Sequence, residues 1–160
     1  MELYHGTIYA FEIPELEIAS RNKSFGPGFY ATTFYRQAED WAKLKMKTQE
    51  KEKAYINVYN LENIPNDIKF KKFETIEEWF DFVCNNRYND NFKHDNDIVY
   101  GKVADNELHE TLTLYKGGLL NKEEAIKKIT AREDLVDQFS FNTKRAIKLL
   151  KFLKRITINL

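Results

Sequence analysis

The sequence has little of several residue types. Its 160 residues include one cysteine, three prolines and six glycines, and its 25 basic side chains are balanced by 25 acidic ones. The single cysteine, Cys84, excludes an intrachain disulfide and a cysteine-based zinc cluster. The equal numbers of basic and acidic residues give no electrostatic case for binding a polyanion.

Long hydrophobic runs are also absent from the sequence. No stretch approaches the roughly 18 apolar residues of a membrane span, and residues 1–5 show neither the basic region nor the apolar run of a signal peptide. We therefore expect a cytoplasmic protein with no membrane partner. The length and an apolar content of 42% fit one domain over residues 1–160.

Two patterns of charged and polar residues have ordinary explanations. Residues 94–97 read His-Asp-Asn-Asp, but no second histidine follows at helical spacing, so we expect a hydrated loop and no metal site. Basic residues also recur at helical spacing near the end of the chain, and we expect a solvated helix face there. These residues are Lys144, Lys148, Lys151 and Arg155.

Short apolar runs and helical periodicity alternate along the chain. The predicted strands are residues 3–5, 29–32, 54–61, 98–100 (ended by Gly101), 136–141 and 155–158. Five helices are predicted. The first covers residues 35–49 and is capped by Thr33, and the second starts after Thr75 and includes residues 76–83. The others cover residues 105–115, a segment capped by Asn121, and residues 143–150. Residues 85–96 are predicted to be a surface loop. This order, with no repeat and no linker, predicts a single α+β domain.

Two short apolar strands near the start of the chain adjoin glycine-containing turns. Residues 3–7 read Leu-Tyr-His-Gly-Thr, and residues 25–30 read Phe-Gly-Pro-Gly-Phe-Tyr. Glycine lets a backbone approach a ligand closely, so two such turns within thirty residues indicate one ligand pocket. Taken singly, His5 is explained as a satisfied buried histidine, Tyr30 as a core aromatic residue and the glycines as parts of a tight turn.

These motifs resemble those of the ADP-ribosyltransferase superfamily, in the branch with a His-Tyr-Glu triad that includes the poly(ADP-ribose) polymerases and diphtheria toxin. Residues 5–7 resemble its first-strand motif His-Gly-Ser/Thr, and residues 25–30 resemble its Phe-Gly-x-Gly-x-Tyr strand. The chain is also similar to a small bacterial family of that superfamily, whose later segments match residues 97–105 and 138–143. The resemblance implies a split pair of small, roughly orthogonal sheets with flanking helices and with NAD in the cleft between them.

The resemblance also implies roles for individual residues. The main chain of Gly6 would bind the nicotinamide carboxamide, His5 would hydrogen-bond a ribose hydroxyl, and the ring of Tyr30 would stack on the nicotinamide. A second aromatic residue, Tyr35 or Trp41, would close the other face of the nicotinamide. The implied NAD-binding residues are His5, Gly6, Thr7, Gly28, Tyr30 and Tyr35.

The third member of the triad departs from the family pattern. The position of the usual glutamate, at the start of a late strand, is occupied by Gln138, whose amide can accept a hydrogen bond from the ribose but carries no negative charge. This departure argues against polymer synthesis. Asp105 is the first reserve for a missing acid, although N-capping of the next helix explains it equally well. Asp97 and Asp137 are the other carboxylates, and Asp137 is expected to point away from the face of Gln138. The implied catalytic residues are His5, Tyr30, Gln138 and Asp105.

The resemblance therefore predicts an NAD-dependent mono-ADP-ribosyltransferase that modifies a protein or nucleic-acid acceptor and releases nicotinamide. NAD is its co-substrate, and no metal is expected. In small bacterial members such activity is often that of a toxin or effector neutralised by a cognate partner, so an antitoxin protein is an expected partner by analogy. Two alternatives stay open: a module that binds NAD, ADP-ribose or a protein partner without catalysis, and an NAD glycohydrolase that uses water as acceptor.

Overall fold

The computed structural model describes residues 1–16, 23–102, 106–132 and 136–160 of the chain. Seven strands and five helices lie within these residues. The strands are β1 (Glu2–Thr7), β2 (Phe29–Ala31), β3 (Lys53–Asn60), β4 (Phe70–Lys71), β5 (Ile98–Lys102), β6 (Asp137–Phe141) and β7 (Lys151–Asn159). The helices are α1 (Tyr35–Thr48), α2 (Ile76–Tyr88), α3 (Asn106–Lys116), α4 (Lys122–Thr130) and α5 (Lys144–Ile147).

The strands form two sheets within one mixed α+β domain. Sheet 1 has the order β1-β3-β7 and is antiparallel, and sheet 2 has the order β2-β6-β5-β4, in which only the β4–β5 pair is parallel. In the part of the chain that the structure describes, one antiparallel bridge between Tyr4 and Thr32 connects β1 with the end of β2. It consists of two main-chain hydrogen bonds of 2.8 and 3.0 Å. The other strand pairs of the described residues each lie within one of the two sheets.

Apolar clusters hold the sheets to each other and to the helices. The cluster that joins the two sheets contains Leu3 and Tyr59 from sheet 1 and Phe29, Phe139 and Phe141 from sheet 2. A second cluster lies between sheet 2 and helices α2, α3 and α4, and it includes Phe25, Trp79, Phe80, Val99, Leu112 and Ile129. Helix α1 covers sheet 1 through Ala38, Ala42, Met46, Ala54, Ile56 and Val58. Burial of these apolar surfaces is the main driving force for the fold.

Gly6 allows α1 to lie directly on sheet 1. A Cβ atom at this position would lie 2.1 Å from the main-chain oxygen of Ala38 and 3.1 Å from the main-chain nitrogen of Ala42. These are contacts with helix backbone, which cannot yield as a flexible side chain can. Glycine is therefore required here for packing, whatever else this residue does.

The helix caps follow the sequence in two cases and differ in a third. Asn121 and Glu124 form the complete capping box of α4, with bonds of 2.8 and 3.2 Å between the side chain of each and the main-chain nitrogen of the other. Thr75 caps α2 by accepting from the main chain of Glu78. The prediction that Thr33 caps α1 is wrong: Phe34 occupies the cap without a side-chain bond, because the Thr33 hydroxyl donates to Asp137.

Several predicted boundaries are wrong because pairing and packing extend elements beyond their local signals. Helix α2 continues to Tyr88, so the expected loop of residues 85–96 begins only at Asn89. Strand β5 continues through Gly101 to Lys102. Strand β7 starts at Lys151 and pairs along β3, so the basic residues expected on one helix face are divided between helical and strand segments. Each helix of the described residues is too short or too polar to span a bilayer.

Candidate functional site

His5 lies on β1 next to Tyr4, whose main chain forms the bridge between the two sheets. Its Nδ1 is 2.6 Å from the main-chain oxygen of Tyr30, across the gap between β1 and β2. Because a carbonyl oxygen can only accept, Nδ1 carries the hydrogen of this bond. The imidazole packs on the ring of Phe29, with centroids 4.3 Å apart, and lies 5.8 Å from the ring of Phe11. The side chain of His5 is thus fixed in position by the backbone of β2.

The Tyr30 side chain is held by the loop that precedes β2. Its hydroxyl accepts a hydrogen bond from the main-chain nitrogen of Phe25, at 3.1 Å, and donates to the main-chain oxygen of Gly26. The ring is nearly parallel to that of Phe25, and the ammonium group of Lys23 lies 4.8 Å from its centroid. Tyr30 therefore presents a fixed aromatic ring with a cation over its face.

Two residues that sequence reasoning missed hold this loop in place. Nε2 of His94 donates to the main-chain oxygen of Phe25 at 2.7 Å, and Nδ2 of Asn142 donates to the main-chain oxygens of Phe25 and Pro27 at 3.1 and 2.8 Å. Gly26 adopts the left-handed backbone conformation with φ of 83°, which favours glycine. Burial lowers the pKa of the His94 imidazole, so its neutral form is favoured. The one signal for Asn142 was its place in the matching segment of residues 138–143.

Gly28 brings the same loop against the end of β6. A Cβ atom on this residue would lie 2.8 Å from both the main-chain oxygen of Phe141 and the hydroxyl of Ser140. Close packing thus accounts for this glycine without a ligand, and its part in NAD binding stays a prediction. Thr7, also in the expected NAD-binding set, is buried, and its hydroxyl accepts from the main-chain nitrogen of Tyr9 at 3.1 Å.

Gln138 and Tyr30 lie on the same face of sheet 2. Tyr30 is directly opposite Ser140 in the β2–β6 pair, and Gln138 precedes Ser140 by two residues on β6. Because alternate side chains of a strand share a face, Gln138 is a diagonal neighbour of Tyr30 at about 7–8 Å. The structure thus brings Gln138 beside Tyr30, and it brings His5 to the main chain of Tyr30.

The neighbouring carboxylate, Asp137, points to the opposite face of β6, as strand alternation predicts. Its Oδ1 accepts from the hydroxyl of Thr32 and the main chain of Thr33, both at 2.9 Å, and its Oδ2 accepts from the hydroxyls of Thr33 and Tyr100. Together with Phe139 and other residues it lines a cavity of about 340 Å³. Asp137 thereby fixes the connection between β2 and α1.

The carboxylate of Asp97 also forms hydrogen bonds that stabilise the fold. Its buried carboxylate forms two hydrogen bonds with the guanidinium of Arg145, at 2.9 and 2.6 Å, and accepts from Thr143 and from the main chain of Lys69. The hydrogen bonds from Arg145 hold the pKa of Asp97 well below its usual range. Asp105, the first reserve for the missing acid, lies outside the described residues.

The candidates for a second aromatic wall both lie on α1. Tyr35 packs edge-on against Tyr4, with ring centroids 5.5 Å apart, next to the bridge between the sheets. Trp41 has half of its surface exposed, with the ammonium of Lys45 at 5.3 Å from its ring. These contacts do not distinguish the two residues as a second face for the nicotinamide, so the choice between them stays open.

The part of the chain that is described holds no group of three or more His, Cys, Asp or Glu side chains arranged to bind a metal ion. His94, from the segment that resembles a metal-ligand cluster, is instead a hydrogen-bonding residue of the Tyr30 loop. Its Nδ1 accepts from the main-chain nitrogen of Asn96 at 3.2 Å.

One protein family, described as a protein of unknown function (DUF3990), matches residues 1–152. No curated protein and no solved structure matches the chain.

Proposed function

We propose that this chain, which belongs to the DUF3990 family, is an NAD-dependent mono-ADP-ribosyltransferase. It transfers ADP-ribose from NAD to a protein or nucleic-acid acceptor, on a split-sheet fold of the ADP-ribosyltransferase type, and acts as a bacterial toxin or effector with a cognate antitoxin. The family match covers nearly the whole chain, in keeping with one domain carrying one site.

The proposal is carried by the arrangement of His5, Tyr30 and Gln138. The His5 imidazole is hydrogen-bonded to the main chain of Tyr30 where β1 and β2 part, and Gln138 lies on the Tyr30 face of sheet 2. These three residues come from positions 5, 30 and 138, so only the fold brings them together. An imidazole and an aromatic ring held close to the junction of two sheets suit a ligand with a ribose and a flat ring.

Transfer requires that the bond between C1′ of the ribose and the nicotinamide nitrogen breaks. The electron pair leaves with nicotinamide, positive charge develops on the ribose, and a nucleophilic atom of the acceptor forms the new bond to C1′ while its proton passes to solvent. In the proposed site Tyr30 orients the nicotinamide, and His5 and Gln138 orient ribose hydroxyls. Gln138 accepts a hydrogen bond but adds no negative charge near the cation. A neutral side chain at this position is the reason for proposing mono-transfer and not polymer synthesis.

The test is nicotinamide release from NAD by purified protein, with and without cell lysate. Wild type, Tyr30→Ala and Gln138→Glu are compared with Lys128→Gln, an exposed substitution on α4, as the control. Release that requires lysate, labels a macromolecule and is lost in Tyr30→Ala supports the transferase. Release without lysate, with free ADP-ribose as product, indicates a glycohydrolase instead.

A second candidate function follows from the neutral side chain at position 138. Asp97 and Asp137 are engaged in structural hydrogen bonds, so neither supplies the charge that Gln138 lacks. A protein that binds NAD or ADP-ribose without turnover fits this observation. Measurable NAD binding without nicotinamide release favours this binding module. Release that appears only in Gln138→Glu would show that the missing charge alone separates the two functions.

A further inference from the structure

Arg87, in the last turn of α2, is a partly buried cation with neutral partners. Its Nε and Nη2 donate to the hydroxyl of Ser24 at 3.2 and 2.9 Å, and its Nη1 donates to Nδ1 of His109 at 2.7 Å. A guanidinium can only donate, so Nδ1 of His109 is the acceptor in this contact. Among the residues that the structure describes, no carboxylate forms an ion pair with Arg87.

This environment is unusual for arginine. Burial lowers the pKa of the Arg87 guanidinium, because it removes the charge from water. Buried charges are normally paired with an opposite charge. Glu107 on α3 does not supply this charge, because it is paired with Arg132 at 3.0 Å and, two residues before His109, points to a different side of the helix.

The guanidinium also retains donors for an outside group. It has five N–H bonds, and three of them are donated to Ser24 and His109, which leaves two; the side chain of Tyr88 also lies close enough to interact with the guanidinium. A planar pair of guanidinium donors matches the oxygens of a phosphate group, and a phosphate provides the negative charge that no described residue pairs with Arg87.

The position of Arg87 relates this donor pair to the Tyr30 ring. Ser24, which is buried, immediately precedes Phe25, whose main-chain nitrogen donates to the Tyr30 hydroxyl. Lys23, on the same short segment, places its ammonium 4.8 Å from the centre of the Tyr30 ring. Two cationic side chains thus flank the proposed nicotinamide-stacking residue in a chain with no net charge.

We propose that Arg87 and Lys23, with His109 beside them, bind the diphosphate of a dinucleotide whose flat ring lies against Tyr30. This inference rests on the proposed NAD pocket and assigns its phosphate-binding residues, which the sequence motifs did not indicate. Ser24 positions the guanidinium and acts through it. Lys23, whose ammonium lies over the Tyr30 ring, supplies the second positive charge of the proposed site.

The test is calorimetric titration of full-length wild type, Arg87→Gln, Arg87→Lys and Lys23→Gln with NAD, ADP-ribose, inorganic pyrophosphate and nicotinamide riboside. Arg36→Gln is the matched control, because the Arg36 side chain is 89% exposed on α1. Thermal melting establishes that each variant is folded, and Lys23→Gln keeps the test decisive if Arg87→Gln is unstable.

We expect Arg87→Gln to weaken NAD and ADP-ribose binding about tenfold or more and Lys23→Gln to weaken it severalfold. Arg87→Lys keeps the positive charge but loses the paired guanidinium donors, so its NAD affinity is expected to lie between those of wild type and Arg87→Gln. Binding of nicotinamide riboside, which has no diphosphate, should be unchanged in all variants. The wild-type affinity for NAD should fall with added salt more steeply than that of Arg87→Gln.

Two outcomes overturn the inference. Equal NAD affinity in wild type, Arg87→Gln and Lys23→Gln would show that these residues do not bind the diphosphate. The proposed NAD pocket would not be affected by that result. Equal losses for nicotinamide riboside and NAD would show that Arg87 only supports the fold of the pocket. If wild type binds pyrophosphate through Arg87 but neither binds nor cleaves NAD, the anion site stands and the proposed transferase fails.

Discussion

Nδ1 of His5 lies 2.6 Å from the main-chain oxygen of Tyr30, so the side chain of one proposed catalytic residue is oriented by the backbone of another. This bond crosses the gap between two sheets and does not involve the Tyr30 ring. Substitutions that remove the Tyr30 hydroxyl alone, or the hydroxyl together with the ring, therefore leave the main-chain contact with His5 in place.

The two parts of the Tyr30 side chain have different tasks. Tyr30→Phe removes the hydroxyl that links Phe25 and Gly26 and is expected to cost about 1–2 kcal/mol of unfolding free energy, while the ring that contacts NAD remains. Tyr30→Ala also removes the ring and should abolish nicotinamide release. Urea unfolding and NAD titration of both variants measure the two effects. Equal NAD affinity in Tyr30→Ala and wild type would contradict a stacking role.

Gly6→Ala tests whether β1 and α1 are in direct backbone contact. The new methyl group would lie 2.1 Å from the main-chain oxygen of Ala38, so we expect a loss of about 3 kcal/mol or more in unfolding free energy. Gly117→Ala is the matched control, because its nearest contact would be an ordinary 3.4 Å. Thermal melting compares the two variants. A Gly6→Ala protein as stable as Gly117→Ala would show that α1 lies farther from the strand.

The Asp97–Arg145 pair should make stability depend on pH in the acid range. The pKa of Asp97 is lowered in the folded state below the unfolded value of about 3.9. Its contribution is thus present above that pH and is lost as the pH falls through the folded pKa. We expect Asp97→Asn to lose about 2 kcal/mol or more at pH 7, with a smaller difference from wild type below pH 4. Parallel stability curves from pH 7 to pH 3 would refute this role.

His94 should make the Tyr30 loop sensitive to mild acid. Burial lowers its folded pKa below 6.5, so the neutral form is stabilised and the contribution is complete above that pH. As the pH falls through the lowered folded pKa, protonation of Nδ1 removes the bond from Asn96. Denaturant unfolding of wild type and His94→Gln should therefore differ most near pH 7.5 and converge toward pH 5. A difference that is constant over this range would exclude the titration of His94.

Elements with strong local signals were predictable from the sequence. The Asn121 cap of α4, the alternation of β3 and the apolar periodicity of α1 depend on residues only a few positions apart, and the structure confirms these elements. Strand β4 gave no such signal, since its two residues are a strand only through parallel pairing with β5. The length of strand β7 was underestimated, because the basic residues at its start recur at helical spacing. Their strand conformation results from pairing with β3.

The candidate site likewise has parts that the sequence predicts and parts that it does not. The motifs around His5 and Tyr30 were visible as glycine-containing strand ends, but the bond between them depends on where the sheets part. Arg87 and His109 come from two helices, and nothing in either helix marks its position next to Ser24. Contacts between distant segments are decided by packing, which a single sequence does not display.

The sheets share one bridge within the described residues, whereas the cluster around Phe29 and Tyr59 fills the space between them with apolar side chains. Their relative tilt is consequently controlled by side-chain volume, with little contribution from directional backbone bonding. Exchanging one core ring for a smaller or larger one would change the spacing of the two sheets, and with it the proposed ligand pocket, while the strand pairing within each sheet is kept. Evolution can thus adjust which ligands enter by substitutions that never touch the ligand.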